Sequence, residues 1–217
     1  MISLLIGLSL FGVFGSLIIL NILYPYRKGE FLFDIFIMTI TLERIWETFY
    51  TTREKEPRRL EGDWTWVMVI LTYLITGLVI IFEFFVKSKR INLFLSFFAG
   101  FVFFLAFLLR LWGVKTLADQ WTTHAVGKSK IREIRLITNG PYRFIRHPVY
   151  LGSMLEVLTL TLIPGCYFAF AVSLVLNLPA YFIRIYFEEK TSLERFGDKY
   201  LHYRRTVPML FPFKFKM

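Results

Sequence analysis

"WTWVMVILTYLITGLVIIFEFFV", residues 64–86, holds one charge, Glu83, in 23 positions. About 20 apolar residues in helical form match the thickness of a bilayer core, so this run reads as a membrane-spanning helix. The pattern repeats outward from it. Residues 2–24 carry no charge, and residues 91–113 carry only Arg110. Residues 31–52 are apolar around Asp34, Glu43, Arg44 and Glu47. A fifth apolar stretch, 149–187, is broken by Pro164-Gly165, a turn signal, and reads as a helical hairpin. Its first arm, 149–163, would be ~22 Å long at 1.5 Å per residue, short for a full crossing. Pro179 is expected to kink the second arm. Hydrophobic residues make up 56% of the chain and charged residues only 19%, which excludes an ordinary soluble globule.

These runs predict an all-α fold: a polytopic membrane helix bundle of about five to six transmembrane segments, the last of them the C-terminal hairpin. Residues 1–113 divide into four segments. Residues 114–217 hold a long polar loop, the hairpin 149–187 and a polar tail. The first segment lacks a basic start and a small-residue cleavage site, so it reads as a retained helix. Alternating crossings put the N-terminus, loops 53–63 and 114–148 and the tail on one side. That side holds 18 basic residues against five in the two other loops, which places it in the cytoplasm. The net charge of +10 thus points to an anionic membrane surface and not to nucleic acid. Cys166 is the only cysteine, so no intrachain disulfide forms. His124, His147 and His202 lack ligand spacing and an acidic cluster, and no metal site is expected.

Four groupings could carry chemistry. Residues 140–152, "GPYRFIRHPVYLG", place Arg143, Arg146 and His147 where a helix enters the membrane. Pro141 and Pro148 break regular structure there, and Gly140 and Gly152 permit close backbone approach. Spacing alone leaves two readings: a shaped strip for a polar cofactor with an aromatic base, or a basic stop contacting lipid phosphates. Arg184 and Glu188 lie four apart on one helix face, as a functional pair or a plain intrahelical ion pair. Residues 196–208 read as a short amphipathic helix ended by Pro208. Its Lys199, Arg204 and Arg205 are within reach of headgroups. Glu43, Arg44, Glu47 and Arg110 lie at membrane depth, where pairing or snorkelling would satisfy them.

In this order, "GPYRFIRHPVYLG", a proline-broken hairpin and "RIYFEEKTSLERFGDKYLHYRRTVP" resemble the isoprenylcysteine carboxyl methyltransferase family over roughly residues 110–212. The resemblance implies an integral membrane enzyme that uses S-adenosylmethionine at a cytoplasmic site. By position, Ile134, Arg135, Leu136, Ile137, Tyr142, His147, Pro148, Val149 and Tyr150 correspond to the cofactor-binding strip. Glu188 corresponds to the acidic cofactor contact, and Arg184 to the residue that meets the acceptor's carboxylate. Eukaryotic members have histidine and threonine where Ile134 and Arg135 stand, so contacts there are expected to be mainly backbone. The implied partners are membrane lipids and a lipophilic acceptor: a prenylcysteine carboxylate, another long-chain acid, or a phenol. Three other readings compete. They are a phospholipid N-methyltransferase, a sterol-type membrane reductase using NADPH, and a non-catalytic lipid-binding helical protein.

Overall fold

The computed structural model describes Ile19, Ile22, Leu23, Phe33 and residues 64–86, 91–117 and 135–211. The rest of the expected helices over 2–24 and 31–52 lies outside the described residues, with Glu43, Arg44 and Glu47. So do loop 53–63 and Ile134. Every regular element described is helical. These are α1 (Trp64–Val86), α2 (Leu93–Leu117), a 3-10 turn (Gly140–Arg143), α3 (Pro148–Leu162), α4 (Tyr167–Phe196) and α5 (Asp198–Thr206). By length and apolarity α1, α2 and α4 can each cross a membrane, and α3 is a shorter apolar helix.

The boundaries have local causes. α1 coincides with the apolar run. α2 starts after Asn92, whose side chain accepts from the Leu95 amide at 3.1 Å as an N-cap. Pro148 opens α3, where its missing N–H costs nothing. The hairpin turns at Gly165, whose φ of 76° is a left-handed conformation open to glycine. α4 continues through Pro179 and nine residues past the apolar run, because Glu188–Phe196 is rich in good helix formers.

α3 and α4 form the centre; α2 packs along α3, and α1 along α4. At one end of α2 an added Cβ on Gly113 would meet Val149 Cγ2 at 2.7 Å. Near its other end the Ser96 hydroxyl donates to Ile163 O at 2.7 Å. The first hairpin arm therefore runs beside α2 from Gly113 to Ser96, ~26 Å at 1.5 Å per residue. The close approach in the middle is made by small residues, as is usual between membrane helices. A Cβ on Gly152 would lie 2.8 Å from Ala106 O.

Several polar groups inside this apolar assembly are matched to one another, while the buried Asn177 Oδ1 has no hydrogen-bond partner among the described residues. Glu83 of α1, 3% exposed, accepts from the Phe168 and Ala169 amides at 3.2 and 2.8 Å, taking up free N–H groups at the start of α4. Asn177 donates to Thr76 at 2.6 Å. Arg110, expected to pair or snorkel, pairs inward: its Nε lies 3.0 Å from Oε1 of the buried Glu156. The hairpin tip thus lies beside the end of α1 and the start of α2. Thr65, Gly113, Tyr150 and Arg184 gather at the opposite end.

Gly152→Ala is expected to force α2 and α3 apart and to lower the thermal midpoint in detergent, at a cost of about 1–3 kcal/mol. Gly100→Ala is the comparator. Its added Cβ meets nothing within 4 Å, so the gain in helix propensity should raise the midpoint.

Candidate functional site

The strip before α3 is fixed from both sides. Gly140 has φ 57°, and a Cβ there would lie 2.6 Å from Thr116 Oγ1, so glycine fits and larger residues do not. Next to it the buried Tyr142 ring reaches Gly113 O at 3.5 Å on α2. On the other side Tyr203 of α5 donates to Tyr142 O at 2.6 Å. Backbone bonds then join strip and tail: Arg146 N to Pro208 O at 2.9 Å, and His147 N to Met209 O at 3.1 Å. Burial pushes the Tyr142 phenol well above its usual range, and the Glu188 carboxylate adds to the shift. Burial likewise raises the Tyr203 phenol, so it stays protonated as a donor.

The end of α4 delivers three charged side chains to this strip. Arg184 is buried. Its Nε donates to the Tyr150 hydroxyl at 3.0 Å and its Nη1 to Thr65 Oγ1 at 3.0 Å. The same Tyr150 hydroxyl donates to Glu188 Oε2. His147 sits between two carboxylates, its Nδ1 4.0 Å from Glu188 Oε1 and its Nε2 3.2 Å from Glu189 Oε1. Glu189 also accepts from Arg146 Nε and Nη2 at 2.8 and 2.7 Å, and Arg204 Nε is 3.6 Å from its other oxygen. The His147 and Tyr150 rings stack with centroids 5.7 Å apart.

The two neighbouring carboxylates differ in access. The Glu188 side chain is 26% exposed and the Glu189 side chain 11%. Glu189 is thus spent inside the protein, while Glu188 offers an anionic, partly open edge beside aromatic faces. A buried guanidinium lies one helical turn behind it. That arrangement can hold a cation with a planar group on one side and an anion on the other.

Of the residues singled out from sequence, Tyr142, His147, Tyr150, Arg184 and Glu188 are brought together here. Pro148 and Val149 are buried at the start of α3, Val149 against Gly113. Arg135, Leu136 and Ile137 lie in irregular chain ahead of the turn, Arg135 exposed and the other two half-buried. Arg143 is exposed beside the Phe144 ring. Arg146 does not face lipid phosphates; its donors go to Glu189 and to the carbonyls of Arg204 and Val207. Glu189 stands out in the sequence beside Glu188, as a carboxylate that must be paired or functional, but was given no site role, and Thr65 was missed. Glu189 differs from Glu188 only by its turn on the helix, and Thr65 lies 119 residues from Arg184 in sequence. No grouping of three or more metal-ligating side chains occurs among the described residues.

A family model described as the isoprenylcysteine carboxyl methyltransferase (ICMT) family matches residues 97–194, which hold most of α2, all of α3, most of α4 and all of these side chains except Thr65, Tyr203 and Arg204. Over this stretch the chain is similar to that family. The chain is similar to methanethiol S-methyltransferase 1 of Bradyrhizobium diazoefficiens, 33% identical over 44% of this chain and 32% of that protein. Protein-S-isoprenylcysteine O-methyltransferase of Schizosaccharomyces pombe is 30% identical over 44% of this chain and 40% of its own length. The matched chain spans well under half of these relatives. In overall fold the protein resembles a solved eukaryotic intramembrane Ras methyltransferase ICMT, with TM-score 0.50 and 17% identity over 96% of this chain and 97% of that one.

Glu189→Gln should loosen the tail, since hydrogen bonds to a charged group are worth about 1.5–3 kcal/mol each. Trypsin cleavage at the exposed Arg195, Lys199, Arg204 and Arg205 should become several-fold faster. Glu194→Gln, an exposed position, should leave the cleavage rate unchanged.

Proposed function

We propose that this protein is an integral membrane methyltransferase that uses S-adenosylmethionine and acts on a lipophilic acceptor. The observation that carries this reading is the convergence of His147, Tyr150, Arg184 and Glu188 at one end of the helix bundle, inside the stretch similar to the ICMT family. The residues present fit such a donor. Glu188 is a partly open carboxylate suited to its cationic part, and the stacked His147 and Tyr150 rings suit its planar base. Tyr142, Pro148 and Val149 form the buried wall behind them. Arg135, Leu136 and Ile137 are assigned to the same strip by the resemblance, with their backbone as the contact. When bound, S-adenosylmethionine supplies an activated methyl group.

The acceptor sets the rest. A carboxylate is already ionised at neutral pH and needs no general base. The protein's task is then to align and to exclude water. Arg184 holds the anionic acceptor through its fork of donors. Its position within the apolar helices, behind Trp64 and Phe187 packed edge to face, suits a greasy molecule arriving from the lipid. The membrane surface carrying the site is taken to be the cytoplasmic one, where basic residues concentrate and the donor is made. A long-chain acid such as a prenylcysteine carboxylate is therefore the acceptor we assign. A small thiol is the second reading, favoured by the likeness to methanethiol S-methyltransferases. An anionic thiolate would also meet Arg184, but it would make no use of a bidentate grip.

Detergent-purified protein should be stabilised by S-adenosylmethionine and not by NADPH in a thermal-shift assay. His147→Ala and Glu188→Ala should each abolish that stabilisation. Arg184→Ala should still bind the donor, with an affinity shifted only several-fold, and lose turnover of an S-prenylcysteine carboxylate by 100-fold or more, about 3 kcal/mol. Stabilisation by NADPH alone overturns the proposal. Turnover of methanethiol that survives Arg184→Ala moves the acceptor to the second reading.

A further inference from the structure

We propose that Tyr150 is a positioning residue whose hydroxyl couples the acceptor half of the site to the donor half. The inference rests on the assignment of Arg184 to the acceptor and Glu188 to the donor made above. One phenolic oxygen serves both. It accepts from Arg184 Nε at 3.0 Å and donates its single proton to Glu188 Oε2. Arg184 and Glu188 stand one turn apart on α4, while Tyr150 belongs to α3, so the oxygen also ties the two hairpin arms together.

The ring cannot easily move away. It is stacked on His147, its centroid is 6.1 Å from that of Tyr181, and the Arg184 guanidinium carbon lies 5.8 Å from its own ring centroid. A hydroxyl held in that way transmits a displacement of the guanidinium to the carboxylate. Hydrogen bonds in a chain also polarise one another, so a stronger pull on Arg184 changes the acceptor strength of Glu188. An anionic acceptor gripped by Arg184 thereby alters how firmly Glu188 holds a cationic donor. Thr65, a further partner of Arg184, lies on α1.

Tyr150→Phe keeps the ring and removes the oxygen. The probe is S-adenosylmethionine without acceptor, with binding measured by calorimetry on detergent-purified protein. In the wild-type background, Arg184→Gln is expected to shift the affinity about threefold or more in either direction, the scale of coupling between residues sharing one network. In the Tyr150→Phe background the same replacement should change nothing further. An equal effect in both backgrounds, or none in the wild type, overturns the proposal. Failure of the folded wild-type protein to bind the probe removes the functional reading instead. The link is then judged on ligand-free melting midpoints. Losses for Tyr150→Phe and Arg184→Gln that are less than additive in the pair support it, and additive losses overturn it. Should Tyr150→Phe fail to accumulate, the Arg184→Gln and Glu188→Gln pair is scored by the same midpoint rule.

Discussion

A charged or hydrogen-bonding group enclosed by apolar helices has no water to turn to, and its partner must be another part of the chain. That constraint organises this protein. Glu83 is tolerated in α1 because the first amides of α4 need an acceptor. Arg110 and Glu156 are tolerated because they face each other across α2 and α3. Removing either member of such a pair leaves an uncompensated charge, which is far more costly than never having had the pair. The matches fix which helix lies beside which, and the glycines at 113 and 152 fix how closely.

The same logic builds the site. α3 and α4 are one hairpin, so the beginning of the first and the end of the second must lie together. Pro148 starts α3 directly after His147, and Arg184, Glu188 and Glu189 occupy the last turns before Phe196. Rings come from the first arm and charges from the second. Glu189 then draws in Arg146 and Arg204, and the tail is laid along the strip by two backbone bonds. Enclosed and open charge are thus separated between adjacent residues. Glu189 is enclosed by protein donors and Glu188 keeps an open edge.

Much of this was legible in the sequence. The run 64–86 defines α1, Pro164-Gly165 marks the hairpin tip, and the i, i+4 spacing puts Arg184 and Glu188 on one face. The recurrence of "RHPVY" with a later "RIYFEE" carried the site. What escaped has a common cause. Partners far apart in sequence, such as Thr65 with Arg184 or Arg110 with Glu156, depend on helix packing that no local pattern encodes. The choice between Glu188 and Glu189 turns on about 100° of helical rotation, which composition cannot resolve. The full length of α4 was also hidden. An apolar run reports where the membrane ends, whereas the helix ends where propensity fails at Gly197.

The cross-links between strip and tail have a consequence for biosynthesis. Residues 142–150 emerge from the ribosome and enter the bilayer well before 184–209 exist, yet each is held by the other. A nascent chain halted at the hairpin tip contains the rings without the charges that complete them. These cross-links therefore form only after the residues of α4 and α5 have been made. Until then, Arg146 and His147 are without Glu189, the carboxylate they share in the folded protein.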